Sequence, residues 1–370
     1  MRSFYDSIFF NVPHLRFPEF EKEWEETELQ DIVPNICSGK DKISNSGEIV
    51  LYGSTGVIGR TDFASYKENI VLVARVGANA GQMQIGNAPC GVTDNTLVID
   101  AKEWNNYIYY FLQRYNLNRL VFGSGQPLIT GGMLKKIKVR YGNKVERNKI
   151  TRLLCLLDER IATQNKIIED LKKLKSAIIE MEYTHKTKSN SHIGDFIEQT
   201  SKRNKNCAIQ NVLSVSNRQG FIQQSEQFEN RSVASDDTSN YKIVEKNDFA
   251  FNPARINVGS IARLTTFDRG IVSPMYICFR TKDTLFPEYL DYYFETKQFF
   301  TEIQKRLEGS VRQCLSFEGL CNIPLCIPTI EVQRQVGNQL STLVQEIKLK
   351  IDFLELLQRQ KKFLLHQMFI

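Results

Sequence analysis

The chain has 370 residues, 42% of them hydrophobic and 24% charged, with eight cysteines and a net charge of +6. That length exceeds one comfortable core, so two domains or a duplicated design are expected, and the composition excludes disorder, collagen-like repeats and a continuous coiled-coil rod. No stretch nears the roughly 18 uninterrupted apolar residues of a membrane span, and the early acids (Asp6, Glu19, Glu21, Glu23, Glu25, Glu26, Glu28) are unlike a signal peptide. The scattered cysteines fit buried free thiols in a reducing cytoplasm. The mild positive charge permits a polyanionic partner without demanding one.

In chain order, a first body over residues 1–143 carries short β-type runs at 48–52, 70–75, 96–99 and 137–140, bounded by Gly, Asn and Pro. An aromatic helix over 105–115 interrupts it. A long helix free of proline follows, within residues 144–185. The second body, 186–330, offers β-type runs at 209–215, 242–244, 260–264 and 275–279, with an aromatic helix at 287–300. A second long helix fills 331–370.

The two halves repeat. Residues 146–181 align without a gap on 333–368, placing Arg147 on Arg334, Leu153 on Leu340, Leu156 on Leu343, Ile167 on Leu354, Ile178 on Leu365 and Met181 on Met368, at an offset of 187. Upstream the match continues with gaps. Leu29-Gln30-Asp31-Ile32 resembles Ile193-Gly194-Asp195-Phe196, and Gly91-Val92-Thr93-Asp94 resembles Gly270-Ile271-Val272-Ser273. An apolar stretch holding Leu134, Ile137 and Val139 matches one holding Leu320, Ile323 and Leu325, and both read as strand-like. The offset grows from 164 to 187, which indicates duplication with insertions in the second body.

Each long helix has a heptad seam. In the first it runs through Ile150, Leu153, Leu157, Arg160, Gln164, Ile167, Leu171, Leu174, Ile178 and Met181; in the second through Gly337, Leu340, Val344, Ile347, Ile351, Leu354, Gln358, Lys361, Leu365 and Met368. A parallel pairing would press Arg160 and Gln164 against Ile347 and Ile351, at a cost of roughly 1–3 kcal/mol each. Antiparallel pairing brings Arg160 to Gln358 and Leu157 to Lys361, gathering most polar groups in one zone. The expected fold is therefore α+β. Two β-rich bodies are each followed by a long helix, and the helices pair as an antiparallel coiled coil with pseudo-twofold symmetry.

The opening NVPHLRFPEF (residues 11–20) with Trp24-Glu25, then VSNRQGFI (215–222) and FNPARINVGS (251–260), resemble the specificity subunit of type I restriction–modification systems. The resemblance implies two target-recognition domains, each reading half of a split site in double-stranded DNA. It implies that the paired helices fix the half-site separation and dock two DNA-methyltransferase subunits, with endonuclease/translocase subunits joining for restriction. S-adenosylmethionine, ATP and Mg would then sit on partner subunits, and this chain would bind no cofactor or metal and catalyse nothing.

Reactive constellations are scarce. The amino-methyltransferase motif with paired prolines is absent, and Asn252-Pro253-Ala254-Arg255 lacks its second proline and its aromatic platform. Gly53, Gly56 and Gly59 fit neither phosphate-loop nor dinucleotide spacing and read as a surface turn. Cys314, Cys321 and Cys326 have loose spacing without a histidine nearby, favouring thiols over zinc. His14, His185, His192 and His366 lie far from any nucleophile.

DNA binding calls for cations on phosphates, and for Arg, Asn and Gln on base edges. The second body offers Lys202, Arg203, Lys205, Asn217, Arg218, Asn252, Arg255 and Asn257; the first offers Lys40, Lys42, Arg60, Arg75, Asn79, Gln82 and Gln126. A basic run from Lys135 to Arg152 faces either phosphate or plain solvent. The competing reading is a coiled-coil adaptor whose β-rich bodies bind something other than DNA.

Overall fold

A computed structural model describes residues 12–33, 35–121, 127–184, 191–217, 219–224, 237–309 and 313–370. The chain divides into two units, Met1–Asn165 with Asp352–Ile370 and Lys166–Ile351. No helix among the described residues is long and apolar enough to cross a membrane.

The elements of the first unit are β1 (Glu25–Glu28), α1 (Leu29–Ile32), β2 (Ile36–Ser38), β3 (Ile49–Gly53), β4 (Gly56–Thr61), β5 (Ile70–Ala74), β6 (Met83–Gly86), β7 (Cys90–Val92), β8 (Thr96–Ile99), α2 (Asn105–Tyr115), α3 (Gly131–Lys135), β9 (Lys138–Tyr141) and the start of α4 (Lys144–Thr184). All five residues of β5 are buried, as an unbroken apolar run covered on both faces must be. It sits inside the antiparallel sheet β2-β8-β5-β6. A smaller sheet, β4-β3-β7, has β3 antiparallel to β4 and parallel to β7. The 53–61 glycines form the β3–β4 hairpin, a surface turn in which Gly56 takes φ 140°, a backbone suited to glycine. Tyr107, Ile108, Phe111 and Leu112 of α2 join Val71, Val73, Leu97 and Ile99 in one core.

The second unit holds the rest of α4, then α5 (Ile193–Phe196), β10 (Ile197–Thr200), β11 (Val212–Ser216), β12 (Gly220–Gln223), β13 (Lys242–Glu245), β14 (Phe249–Phe251), β15 (Ile261–Arg263), β16 (Arg269–Val272), β17 (Ile277–Thr281), α6 (Pro287–Tyr293), α7 (Lys297–Arg306), α8 (Phe317–Cys321) and most of α9 (Ile330–Met368). Sheet β10-β17-β14-β15 repeats β2-β8-β5-β6 strand for strand, every pair antiparallel. Sheet β12-β11-β16-β13 repeats β4-β3-β7, including its one parallel pair, and adds β13. Where the second unit has β13, the first has a single bridge between Tyr66 and Cys90. The duplication legible in the sequence is thus a duplication of topology, and the α+β expectation of two β-rich bodies, each followed by a long helix, describes the molecule.

In the first unit α4 and α9 run antiparallel. Ile150 and Leu154 share a core with Leu364, Leu365 and Met368, while a turn further on Asp158 Oδ1 lies 2.6 Å from Lys361 Nζ. In the second unit Ile179 and Tyr183 of α4 share a core with Val336 and Leu340 of α9.

The seam differs in detail from the expected one. On α4 its buried members are Ile150, Leu154, Leu157, Gln164, Ile168 and Ile179, so three of the ten heptad positions, expected at Leu153, Ile167 and Ile178, sit one residue later. Arg160, Leu174 and Met181 are exposed, and Leu153, Leu171 and Ile178 are half-buried. Ile167 is 37% exposed against 7% for Ile168. On α9, Leu340 and Ile347 are buried and Ile351 and Leu354 half-buried, but Val344 and Gln358 are exposed and Leu357 takes the buried place. Arg160 therefore makes no polar interruption of the seam. Lys361 escapes the burial penalty by pairing with Asp158, beside the Tyr110 ring.

Other readings need correction too. The aromatic stretch 287–300 is two helices, broken where the Thr296 hydroxyl caps α7 by accepting from the Phe299 amide at 3.0 Å. Leu134 and Leu320 lie in short helices, not strands. Of the cysteines, Cys90 and Cys278 are buried and Cys37 is exposed.

Candidate nucleic-acid interface

Strand direction decides which loops meet. In the second unit β11 is parallel to β16, so both end on the same side, and β13, antiparallel to β16, begins there, with Lys242 opposite Val272. The β11–β12 turn follows Ser216, paired with Gly220. The β14–β15 loop leaves at Phe251, paired with Ile261, beside the start of β17 at Ile277. The two loops touch: Ser260 Oγ donates to the Val215 carbonyl at 3.3 Å, and a Cβ placed on Gly259 would stand 3.7 Å from Asn217 Cβ. Asn217, Arg255 and Asn257 are thereby gathered at one end of the unit, with Asn217 and Arg255 exposed.

The Lys202–Lys205 segment reaches the same end. Arg203 Nη1 donates to Asn240 Oδ1 at 2.9 Å, and the Asn204 amide donates to the Tyr241 carbonyl at 2.9 Å, just before β13. Lys202, Arg203 and Lys205 are exposed. Asn252 is different. It is buried, and its Oδ1 accepts from the Ala254 amide at 3.1 Å, so it shapes the loop that presents Arg255.

The first unit repeats the arrangement. β3 is parallel to β7, which puts the Ser54-Thr55 turn beside the β7–β8 loop. Ser54 Oγ donates to the Asn95 carbonyl at 2.9 Å, and the Arg75 amide donates to the same carbonyl at 3.0 Å. The β5–β6 loop adds Asn79 and Gln82, joined by a 3.0 Å bond from Gln82 Nε2 to Asn79 Oδ1. Arg75 is half-buried and donates to Ser38 Oγ at 3.2 Å at the end of β2, and exposed Lys40 and Lys42 follow from there. Arg60 stands apart, paired with Val50 at the far end of the hairpin and bonded to the Glu48 carbonyl. Gln126 and Arg218 lie outside the described residues.

The basic run entering α4 is largely occupied by the acidic N-terminal segment. Lys138 Nζ and Arg140 Nε lie 2.8 and 2.7 Å from the Glu26 carboxylate, Lys149 pairs with Glu19, and Lys144 with Glu103. These lysine and arginine donors hold the Glu26 carboxyl below its ordinary range, as Lys149 does for Glu19. The Arg147 guanidinium stacks 3.4 Å from the Trp104 ring centre. Ser54 and Asn95 were not singled out in the sequence. Their signal was the resemblance of 91–94 to 270–273, which marks matching strand ends and hence matching loops.

The opening motif has its place here as well. Arg16 grips Glu146 with Nε and Nη2 at 2.6 and 2.9 Å, the Leu15 amide donates to the Gln367 carbonyl at 2.9 Å, and Phe17 packs on the core below Lys149. The motif ties the start of α4 to the end of α9.

Residues 21–173 match the family model of the type I restriction modification DNA specificity domain. The chain is 23% identical to the type I restriction enzyme MjaVIII specificity subunit of Methanocaldococcus jannaschii, over 97% of this chain and 94% of that one. It is 30% identical to the putative type I specificity subunit S.MgeORF438P of Mycoplasma genitalium, over 43% of this chain and 42% of that one. Its fold is similar to the crystal structure of a type I restriction–modification S subunit from M. genitalium, with a TM-score of 0.66, 16% identity and coverage of 97% and 99% of the two chains. A chain from a structure on complex assembly and conformational transition of the type I R-M system gives a TM-score of 0.51 at 12% identity, over 95% and 98%. The matched domain over residues 21–173, and the likeness along almost the whole chain, make this chain similar in sequence and in fold to the specificity subunits of type I restriction–modification systems.

Proposed function

We propose that this chain reads a split target in double-stranded DNA, with each unit offering its loop end to one half-site. The observation that carries this reading is the repeated topology: both units place loops rich in Arg, Asn, Gln and Lys at the same end of equivalent strands. Arginine can fork onto guanine O6 and N7, and Asn or Gln onto adenine N6 and N7. Exposed Lys40, Lys42, Lys202 and Lys205 suit the flanking phosphates. A cytoplasmic complex is proposed in which this chain catalyses nothing itself. It docks two methyltransferase subunits and, through them, endonuclease/translocase subunits, and S-adenosylmethionine, ATP and Mg act on those partners.

Both long helices have residues in both units, so their length is the natural gauge of half-site separation. Filter binding to random duplex at low and moderate salt tests the reading. A DNA reader loses affinity steeply as salt rises, whereas an adaptor for another partner binds at neither. Adding one heptad to both helices should lengthen the preferred spacer and leave the half-sites unchanged; an unchanged spacer defeats the gauge.

A further inference from the structure

The first unit carries a cavity of about 430 Å³ lined among others by Arg114, Tyr115, Arg119, Lys362, Leu365 and His366. Local chain geometry builds it. Helix α2 stops at Asn116, which takes φ 61° and caps the next turn by accepting from the Asn118 amide. The chain therefore doubles back, and Arg114 before the stop and Arg119 after it line one cavity. Helix α9 supplies Lys362 and His366 from another wall.

The charges here are unlike those of the basic run into α4. There, Lys138, Arg140, Lys144 and Lys149 are matched by Glu26, Glu103 and Glu19. In the cavity no carboxylate side chain is among the lining residues, and among the described residues Arg114, Arg119 and Lys362 form no ion pair. Arg114 Nε is buried without a hydrogen-bond acceptor among the described residues, so only its guanidinium end groups can meet a ligand in the cavity. The Arg119 guanidinium is held 4.8 Å over the Tyr115 ring, which restricts its motion. A neighbouring cavity of about 300 Å³ shares Arg114 and His366 and adds His14, with the terminal residue Ile370 in its wall.

The cavity adjoins the loops assigned to DNA. A Cβ placed on Gly81 would lie 2.8 Å from Asn118 Oδ1 and 3.3 Å from Leu117 Cβ. The β5–β6 loop with Asn79 and Gln82 thus rests on the segment that joins Arg114 to Arg119. We infer that this basic cavity holds a backbone phosphate of the DNA strand running on from the half-site that the first unit reads. A guanidinium fork matches the two free oxygens of a phosphodiester, and the lysine adds a point charge. The inference rests on the DNA-reading function proposed above.

The test is filter binding of the full chain to a random-sequence duplex over a salt titration. The wild type is compared with Arg119→Gln/Lys362→Gln and with the same pair plus Arg114→Gln. Loss of the one phosphate contact makes the slope of log affinity against log salt shallower by about 1. Variants with wild-type melting and an unchanged slope overturn the phosphate site while leaving the proposed DNA reading intact. A wild type that binds no duplex at low salt overturns the DNA reading itself, and the phosphate site with it. Should the multiple variants melt early, Lys362→Gln alone, at an exposed position, should still weaken duplex binding at low salt and flatten the slope by less than about 1; unchanged affinity and slope overturn the site.

Discussion

Leu29 donates its backbone N–H to the carbonyl oxygen of Ile137 at 2.8 Å, and Ile193 donates to Ile323 in the same way at 2.9 Å. The donors are separated by 164 residues and the acceptors by 186, the two offsets at which the sequence repeats upstream and downstream of the variable bodies. Each bond closes a unit on itself, joining the start of its body to the segment that leads into its long helix. Duplication has preserved this closure while loop lengths between the two anchor points diverged.

Arg16 and Glu146 form a bidentate pair in which the carboxylate is fully buried. Removing one partner leaves the other charge buried and uncompensated, at a cost of about 3–5 kcal/mol. Arg16→Ala or Glu146→Ala should lower the denaturant midpoint accordingly, whereas Arg16→Ala/Glu146→Ala together should cost less than the sum of the singles. Additive losses would show that the two side chains are not coupled.

The register of the helix seam is testable at adjacent residues. Ile168 is buried and Ile167 is not, so Ile168→Ala should cost about 2–4 kcal/mol by cavity formation and Ile167→Ala under about 1 kcal/mol. A larger loss for Ile167→Ala than for Ile168→Ala in thermal melts would restore the seam read from the sequence.

That seam shows where sequence reading runs out. Ile167 and Ile168, like Leu153 and Leu154, are adjacent and equally apolar, so periodicity alone does not choose between two stripes one residue apart. Tertiary packing chooses, through partners such as Met368 and Leu364. The loop residues were legible as a class, because Arg, Asn and Gln between β-type runs are conspicuous. Their convergence was not, because it depends on β3 and β7, and on β11 and β16, running parallel across long connections. Arg60 resembles Arg75 in composition, and only the hairpin register places it at the opposite end of the strands from the β3–β4 turn.

The β1–β9 pair carries a pH dependence. Hydrogen bonds from Lys138 and then Arg140 lower the Glu26 carboxyl from its ordinary value of 4.5. A folded pKa below the unfolded one gives a stabilising contribution that is present above the ordinary carboxylate range and is lost as pH falls through the lowered value. Amide exchange in Glu25–Glu28 and Lys138–Tyr141 should therefore be faster in Glu26→Gln than in wild type at neutral pH, and the difference should vanish only in acid below the lowered Glu26 value, where the folded carboxyl is protonated. A difference that persists there would remove the ion pair as its cause.

Arg255 is exposed on the loop that Asn252 braces. Arg255→Ala should weaken binding to the cognate duplex by about 1–3 kcal/mol and bind random duplex with nearly unchanged affinity. Asn252→Ala should do the same indirectly, with altered exchange in the 252–260 loop. Equal losses on both duplexes would make Arg255 a phosphate anchor.

The most direct measurement maps adenine methylation in cells that express the chain with the methyltransferase proposed as its partner, before and after the second unit's loops at 217–219 and 252–260 are replaced. Two independent readers predict a split methylated motif in which one half changes and the other half and the spacer stay fixed. A contiguous motif, or a replacement that alters both halves together, would contradict the reading of one half-site by each unit.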